Sequence, residues 1–249
     1  MQNEILALFN EAMADRKATR QQFSTLLRTD VNAHPLPFFG DPVTARFATI
    51  GVNPSASEFT WSRWPKADLS TEELAQRALG YFKNCNVSAH PWFDGYEMTL
   101  NLLGHSYKTD AVHLDLSPRA TKSMRTVAKV DFLAMIDRDL KWFLRSLDLC
   151  KNLQAVIVSG SVTGTYYFDE FLRAKLPEPY KFTLETRFGV KKRGATALYK
   201  MTGPNLSVPV LFCCKSPSGD KGVFLKSEVN RLRPELVEAG FEGVHYSSS

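Results

Sequence analysis

Cysteine and long apolar runs are both scarce in this sequence. Four of the 249 residues are cysteine, and none of them forms a C-x-x-C pair. Zinc sites and iron–sulfur clusters usually need such pairs, so we expect no metal and no cofactor, with the thiols reduced. No apolar run reaches the length of a membrane span, and the N-terminal residues lack the pattern of a signal peptide. We therefore expect a cytoplasmic protein with no membrane partner.

The composition is that of a globular protein with a moderate positive charge. Hydrophobic residues make up 44% of the chain and charged residues 23%, which leaves enough apolar side chains for a core. The formal net charge of +5 permits a polyanionic partner such as nucleic acid, but many soluble proteins are equally basic. The length suits one large domain or two small ones, and we expect a monomer with a single domain over residues 1–249.

Apolar periodicity predicts helices and strands that alternate along the chain. The predicted helices span residues 3–28, 70–81, 97–103, 130–149, 166–175 and 225–238, and the main strands lie in 47–50, 111–118, 155–158 and 208–214. Residues 1–40 are predicted to form a helical N-terminal extension, and residues 181–201 an added β-hairpin. Strands separated by helices favour an α/β fold, a three-layer α/β/α arrangement around a central, mostly parallel four-stranded sheet.

Small polar residues follow the main strands, next to proline or glycine. Gly51 lets the backbone approach a ligand, and the proline after Asn53 keeps that asparagine out of helical geometry. Because the carboxyl ends of parallel strands share one edge of a sheet, we expect the polar residues at these ends to form one site. They are Asn53, Asp115, Ser159 and Ser216. Taken alone, the stretch around Asn53 is also typical of an ordinary strand and turn.

Four short motifs at these strand ends resemble those of the uracil-DNA glycosylase superfamily. They are Gly51-Val52-Asn53-Pro54-Ser55, Val112–Pro118, Val156–Ser161, and Ser216-Pro217 followed by Lys221–Phe224. The first has the Gly-x-Asn-Pro form of the mismatch-specific and single-strand-selective branches, and the last is similar to a loop that leads into a basic wedge. Their order and approximate spacing hold from about residue 45 to residue 235. The N-terminal extension and the hairpin are left unexplained.

The resemblance implies a DNA-binding enzyme that flips a base out of the stack and hydrolyses its N-glycosidic bond. It implies that the amide of Asn53 holds the attacking water, and that Gly51 and Val52 line the base pocket. Asp115 stands where the family has a base-reading asparagine. An ionised aspartate only accepts hydrogen bonds and suits two adjacent donors, such as those of guanine. A protonated aspartate could still read uracil or cytosine, so the base is left open, and Asp115 is also typical of a turn cap.

The last motif departs from the family pattern as well. Cys214 stands where the family has a histidine, and a thiol is a weak hydrogen-bond donor. Lys215 is the remaining candidate for a catalytic positive charge. Hydroxyl groups and a further lysine nearby are candidates for holding phosphates. These phosphate-binding candidates are Ser55, Ser216, Ser218 and Lys221, although a solvated loop has the same composition.

Aromatic residues between the first two main strands are candidates for stacking on a base. We expect Phe82 and Trp92 to wall the pocket, although aromatic side chains beside a sheet are also ordinary core residues. His90 has a weaker catalytic case.

Three functions are consistent with the whole sequence. The first is hydrolysis of an N-glycosidic bond in DNA or in a free nucleoside. The second is a non-catalytic nucleic-acid or nucleobase binder that uses the same cleft, which the missing histidine favours. The third is a different α/β hydrolase, but Gly160-Ser161 lacks the G-x-S-x-G elbow of that class.

Overall fold

A computed structural model describes residues 2–27, 33–60, 64, 68–83, 89–122, 127–188, 196–215 and 226–241. These residues form eight α-helices and seven strands. The helices are α1 (Gln2–Ala14), α2 (Arg16–Gln22), α3 (Thr71–Leu79), α4 (Asp94–Leu102), α5 (Lys129–Leu149), α6 (Phe168–Lys175), α7 (Lys226–Arg231) and α8 (Arg233–Glu238). The strands are β1 (Phe38–Phe39), β2 (Phe47–Gly51), β3 (Ala111–Asp115), β4 (Ala155–Ser159), β5 (Lys181–Phe188), β6 (Thr196–Gly203) and β7 (Leu206–Cys213).

The strands form one mixed sheet in the order β1-β3-β2-β4-β7-β6-β5. Strand β4 pairs in parallel with β2 and with β7. Three of the four main strands, β2, β4 and β7, are therefore parallel to one another, as predicted. Strand β1 is antiparallel to β3, and β6 is antiparallel to both β5 and β7. The expected α/β class and the expected hairpin are therefore confirmed. The hairpin formed by β5 and β6 extends the sheet beside β7.

Two predicted helices are each divided in the structure. The helix expected over residues 3–28 is split at Asp15 into α1 and α2, and it ends at Gln22. The closing helix expected over 225–238 is split at Leu232, where α8 begins with a proline near its first position. Proline lacks the N–H that would continue a preceding helix, so it favours a new start there. None of the described helices is long and apolar enough to cross a membrane.

The chain falls into two compact units, each made of several segments. The first unit comprises Met1–Val43, Gly51–Ser88 and His113–Cys150, and the second comprises Thr44–Ile50, Ala89–Val112 and Lys151–Ser249. The expected single domain over residues 1–249 stays a prediction. Among the described cysteines, Cys150 and Cys213 are buried free thiols, and Cys214 is a partly exposed one.

The first unit is built around buried faces of α1, α3 and α5. Phe9 of α1 packs edge-on against Phe38, with 5.3 Å between the ring centres. Helix α3 begins with a capping box, in which the Ser70 hydroxyl accepts the Glu73 N–H and the Glu73 carboxylate accepts the Ser70 N–H. This exchange satisfies two backbone groups that a helix start leaves unpaired, and it confirms the predicted start.

The second unit has an entirely buried central strand, β4, as a parallel strand covered on both faces requires. Tyr96 of α4 ties two strands together from the side. Its hydroxyl donates to the Ile50 carbonyl at 2.9 Å and accepts the Ser159 N–H at 3.0 Å. Both polar groups lie at strand ends, where the ladder no longer satisfies them. The end of β4 is thereby fixed beside the end of β2.

Candidate active site

The side chain of Asn53 is held in one orientation, two residues after β2. Its Nδ2 group donates to the Arg119 carbonyl at 2.8 Å and to the Thr121 hydroxyl at 3.0 Å, and a third acceptor, the Pro54 carbonyl, lies at 3.2 Å. The amide N–H groups are thereby committed to the protein. The Oδ1 atom accepts no hydrogen bond from the residues that the structure describes. The side chain is half-buried, so Asn53 presents an oriented acceptor at the end of a strand.

The segments that follow β2 and β3 run side by side within the first unit. The Leu116 N–H donates to the Gly51 carbonyl, and the Ser117 N–H donates to the Val52 carbonyl, both at 3.0 Å. Since Asn53 is the next residue on one segment and Asp115 the preceding residue on the other, both lie at the same end of the strands. The structure therefore brings together the two residues that carry the resemblance in these motifs.

Gly51 is in close contact with the side chains of β3. A Cβ atom at this position would lie 2.5 Å from Asp115 Oδ1 and 2.6 Å from His113 Nε2. Real Cβ atoms do not approach other atoms so closely. Any residue with a side chain at position 51 would therefore displace the pair formed by His113 and Asp115. This geometry gives a steric reason for the glycine of the Gly-x-Asn-Pro motif.

Asp115 is a buried carboxyl group with one near neighbour. It is 2% exposed, and its Oδ1 atom lies 3.4 Å from His113 Nε2. Its Oδ2 atom is also buried and receives no hydrogen bond from the described residues. Burial raises the pKa of Asp115 above its usual value, and His113 only partly offsets this. The environment thus favours the neutral carboxyl, which has one donor and remaining acceptor capacity.

An ion-pair network fixes the segment that holds Asn53. The Arg119 Nε donates to Asp139 Oδ2 at 3.1 Å, and its NH2 group donates to Asp15 Oδ2 at 2.6 Å. The Ser117 hydroxyl also donates to Asp139 Oδ2, at 2.6 Å. Arg119 is 5% exposed and Asp139 is fully buried, so these are interior ion pairs with hydrogen bonds on both sides. The carbonyl that orients Asn53 thus belongs to a residue fixed by Asp15, at the junction of α1 and α2, and by Asp139 of α5.

Asp15 joins the N-terminal helices to this network. Its Oδ1 atom accepts from Arg138 at 2.6 Å, and its Oδ2 atom accepts from Thr19 at 2.8 Å as well as from Arg119. Burial opposes the charge of Asp15, but the Thr19 hydrogen bond and the two arginines outweigh it and lower the pKa of Asp15. The extension that the resemblance left unexplained is therefore part of the support of the candidate site.

The aromatic candidate in the first unit belongs to a packed cluster. Phe82 is 9% exposed and packs edge-on against Tyr81, with 4.9 Å between ring centres. The Tyr81 hydroxyl and the Trp64 Nε1 both donate to Glu58 Oε1, at 2.6 Å and 2.9 Å. Glu58 is 2% exposed, so the cluster buries a carboxylate with two donors. The observed ring contact of Phe82 is a core contact, and stacking on a base stays a prediction.

The other candidates in the first unit are Val52 and Ser55. Val52 is half-buried and supplies the carbonyl that binds the segment after β3. Ser55 is exposed, and its hydroxyl lies 2.6 Å from the Ser57 hydroxyl and accepts the Ser57 N–H. Its hydroxyl therefore closes a local turn, as serine often does.

The second unit contains Trp92, Lys215 and Cys214. Trp92 is half-buried, and its ring centre lies 5.4 Å from that of Tyr96. The His90 Nδ1 atom accepts the Trp92 N–H at 3.1 Å, so this histidine caps the start of the short 3₁₀ helix Pro91–Phe93. Cys214 and Lys215 follow β7 directly and are partly exposed.

Three further candidates, Ser216, Ser218 and Lys221, lie outside the described residues, as does the basic hairpin tip at 191–193. Among the residues that the structure describes, no three His, Cys, Asp or Glu side chains are grouped closely enough to hold a metal ion.

Sequence reasoning missed the residues that support Asn53. Arg119 and Thr121 lie only a few positions beyond the second motif, but nothing in their spacing shows that they turn back towards position 53. Asp139 lies three residues after Ile136 and four before Phe143, so it has the spacing of the apolar face of α5. A buried carboxyl on the apolar side of α5 would have been the signal, and it is recognisable only once the helix face is fixed.

No protein-family model matches the chain, and no curated protein matches it significantly. The likeness to the uracil-DNA glycosylase superfamily therefore rests on the sequence motifs alone and stays a prediction.

Proposed function

We propose that the protein recognises a flipped nucleobase in DNA and hydrolyses its N-glycosidic bond. The observation that carries this proposal is the orientation of Asn53, whose Nδ2 is bound to Arg119 and Thr121 while its Oδ1 remains an acceptor. A water molecule that donates one O–H to Oδ1 is held with a lone pair available for attack. The Asn53 side chain stands at a strand end, where α/β sheets commonly bind ligands.

In the proposed reaction, water attacks the anomeric carbon of the deoxyribose. The C–N bond to the base breaks, a C–O bond to the water oxygen forms, and the base leaves with the bonding electrons. The water loses one proton to solvent or to the departing base. Developing positive charge on the sugar and negative charge on the base need electrostatic stabilisation. Lys215 is the candidate for stabilising the negative charge on the base, and the resemblance gives Asn53 the role of orienting the water.

Asp115 is proposed to read the base. As a neutral carboxyl it offers one donor and one acceptor, the same capacity as the asparagine that it replaces in the family pattern. Its buried Oδ2 atom, without a partner among the described residues, is the group that a base edge would satisfy. In the ionised state it would only accept, and would match a base with two adjacent donors. The protonation state of Asp115 therefore selects between base classes.

The finer parts of the proposal rest on the sequence, through its patterns and the resemblance. They are a three-layer architecture with a four-stranded parallel core, a monomeric state, a cytoplasmic location, base contacts from Gly51, Val52, Phe82 and Trp92, and phosphate contacts from Ser55, Ser216, Ser218 and Lys221. A basic pI near 9.0 supports a DNA partner.

The alternative is a non-catalytic binder of unusual bases. Cys214 favours it, because the partly exposed thiol offers only a weak donor where the family has a histidine. In that case Asn53 and Asp115 recognise the base, but departure of the base is not assisted.

The test is a single-turnover screen of labelled oligonucleotides that carry uracil, hypoxanthine, xanthine or mismatched bases, scored for abasic sites. Release of at least one base, abolished by Asn53→Ala and kept by Asn101→Ala, supports hydrolysis; Asn101 is an exposed asparagine on α4. Binding of a modified oligonucleotide without release supports the alternative. Neither release nor selective binding of any base would contradict both.

Asp115→Asn tests the reading role. At a pH above the folded pKa of Asp115, we expect this variant to bind uracil-containing DNA about 10- to 100-fold more tightly, because the ionised carboxylate only accepts whereas the amide also donates. At a pH below that pKa, the native protein and the variant should bind it alike. An exposed control is Asp131→Asn on α5. Equal uracil affinity of the native and Asp115→Asn proteins across the whole pH range would show that Asp115 does not read the base.

A further inference from the structure

An open groove lies in the first unit, on the surface of α1 and α2. Its volume is about 800 Å³, and it is lined by three cations, Arg16, Lys17 and Arg20. Asp68 is the one carboxylate among the described residues that line it. The net charge of the groove is therefore positive. The groove belongs to the N-terminal extension, which supplies no catalytic group to the proposed active site.

The nearby carboxylate of Asp15 does not cancel this charge. Its two oxygens already accept hydrogen bonds from Thr19, Arg119 and Arg138. Neither Lys17 nor Arg20 forms an ion pair with any of the described residues. Burial, and then the charge of Arg20, lower the pKa of Arg16, which indicates that positive charges are crowded here.

Asp68 shows that a carboxylate fits beside Arg16 in the groove. Its carboxylate lies 3.6 Å from the Arg16 guanidinium, but the Asp68 side chain is 84% exposed while that of Arg16 is 16% exposed. An ion pair with one exposed partner contributes little stability, so a stronger anion can displace Asp68 at low cost. A guanidinium binds phosphate oxygens well because its N–H groups match their geometry.

Two neutral polar residues and the apolar side chain of Met13 complete the lining. Gln21 and Ser24 are exposed and lie on the same groove. Amide and hydroxyl donors beside arginine and lysine are the usual partners of a sugar–phosphate backbone. Arg16 and Arg20 are one helical turn apart, so they lie on one face of α2 and can contact successive anionic groups. A concave surface suits a strand better than it suits a flat membrane.

We propose that this groove, formed by Arg16, Lys17, Arg20, Gln21 and Ser24, binds the phosphate backbone of a nucleic acid strand. The choice of nucleic acid among polyanions rests on the proposed function, whereas the groove itself does not. It gives the N-terminal helices a role in holding the substrate strand away from the reacting base.

The test measures binding of fluorescent single-stranded and duplex oligonucleotides of unmodified sequence by anisotropy, over a series of salt concentrations. We expect Lys17→Gln with Arg20→Gln to weaken binding and to reduce the log–log salt slope by about 1 for each phosphate that is no longer neutralised. The control is Lys151→Gln with Lys181→Gln, which removes the same charge from two exposed lysines of the second unit. An equal change in both double variants would overturn the proposal.

Two further variants should change nucleic acid binding in ways that a purely structural role of the groove residues would not produce. Asp68→Asn removes the competing carboxylate, so it should tighten binding, and Lys17→Arg with Arg20→Lys should retain it. If the protein binds anionic vesicles more tightly than oligonucleotides, the groove is assigned to membranes and the proposal is overturned. Base release is scored separately. If the groove variants lose affinity for oligonucleotides while Asn53→Ala retains it, the groove is supported even when no base is released.

Discussion

The Asn53 side chain donates from Nδ2 to the backbone carbonyl of Arg119 at 2.8 Å. The Arg119 guanidinium is in turn bound by Asp15, which precedes it in the chain, and by Asp139, which follows it. The orientation of one amide at a strand end thus depends on ion pairs with the residue between α1 and α2 and with one residue of α5. The first prediction tests this dependence directly.

Asn53→Asp replaces the Nδ2 donor with an oxygen that faces the Arg119 carbonyl and the Thr121 hydroxyl. We expect the free energy of unfolding to fall by about 1–3 kcal/mol, since acceptors are left unsatisfied. Urea denaturation at neutral pH measures it. Asn101→Asp, at an exposed position, should change stability by less than about 0.5 kcal/mol. Equal stability of the two variants would show that the donor is not needed.

Gly51→Ala should destabilise the protein by about 1–3 kcal/mol, because its methyl group overlaps Asp115 Oδ1 and His113 Nε2. Gly80→Ala is the matched control, since its nearest contact is the Gln76 carbonyl at 3.3 Å. Adding Asp115→Ala to Gly51→Ala should recover part of the loss, a coupling of about 0.5–3 kcal/mol. Strict additivity in this double-mutant cycle would place the clash elsewhere.

Asp115 should make the stability of the native protein depend on pH. Its folded pKa is raised above the ordinary value of 3.8, so the folded state holds the proton more tightly than the unfolded state. Its contribution is fully present below pH 3.8 and is lost as the pH rises through the folded pKa.

Asp115→Asn lacks this titration. We therefore expect the stability of Asp115→Asn relative to the native protein to increase with pH above 3.8 and then to level off. Urea unfolding of both proteins across this range gives the difference, with Asp131→Asn as an exposed control. A difference that does not change with pH would mean that Asp115 has the same pKa in both states.

Two carboxyl groups that pair with arginines should differ widely in their contribution to the free energy of unfolding. Asp139→Asn removes the fully buried one of the two carboxylates that pair with Arg119 and should cost about 3–5 kcal/mol in unfolding free energy. Glu11→Gln breaks the exposed pair with Arg145, where the two side chains are 55% and 38% exposed, and should cost less than about 1 kcal/mol. Thermal and urea denaturation of both variants provide the comparison. Similar losses would indicate that the interior pair contributes no more than the exposed one.

The order of the main elements could be predicted from the sequence because most strands and helices have a local signal. The apolar run of β4 and the Ser70 and Glu73 signature of α3 depend on neighbouring residues alone. Strand β1 could not be predicted, since it has two residues in a proline-rich segment and exists only by pairing with β3. Its formation is a long-range event.

The site could be predicted only in part for the same reason. Gly51, Asn53 and Asp115 stand at strand ends and can be read from motif positions. The role of Arg119 depends on Asp15, which lies 104 residues away in the chain, and no local pattern reports such a pairing. The burial of Asp115 likewise depends on how β3 is covered.

The long reach of the ion-pair network has a consequence for the order of events during synthesis. Asp15 leaves the ribosome 104 residues before Arg119 and 123 residues before Arg138. At roughly 5–20 residues per second, the first of these gaps lasts roughly 5–20 s. A helix as short as α2, with seven residues, is not stable by itself in water. The ion pairs of Asp15 can therefore form only after Arg119 and α5 have been synthesised, so the junction of α1 and α2 reaches its final structure late.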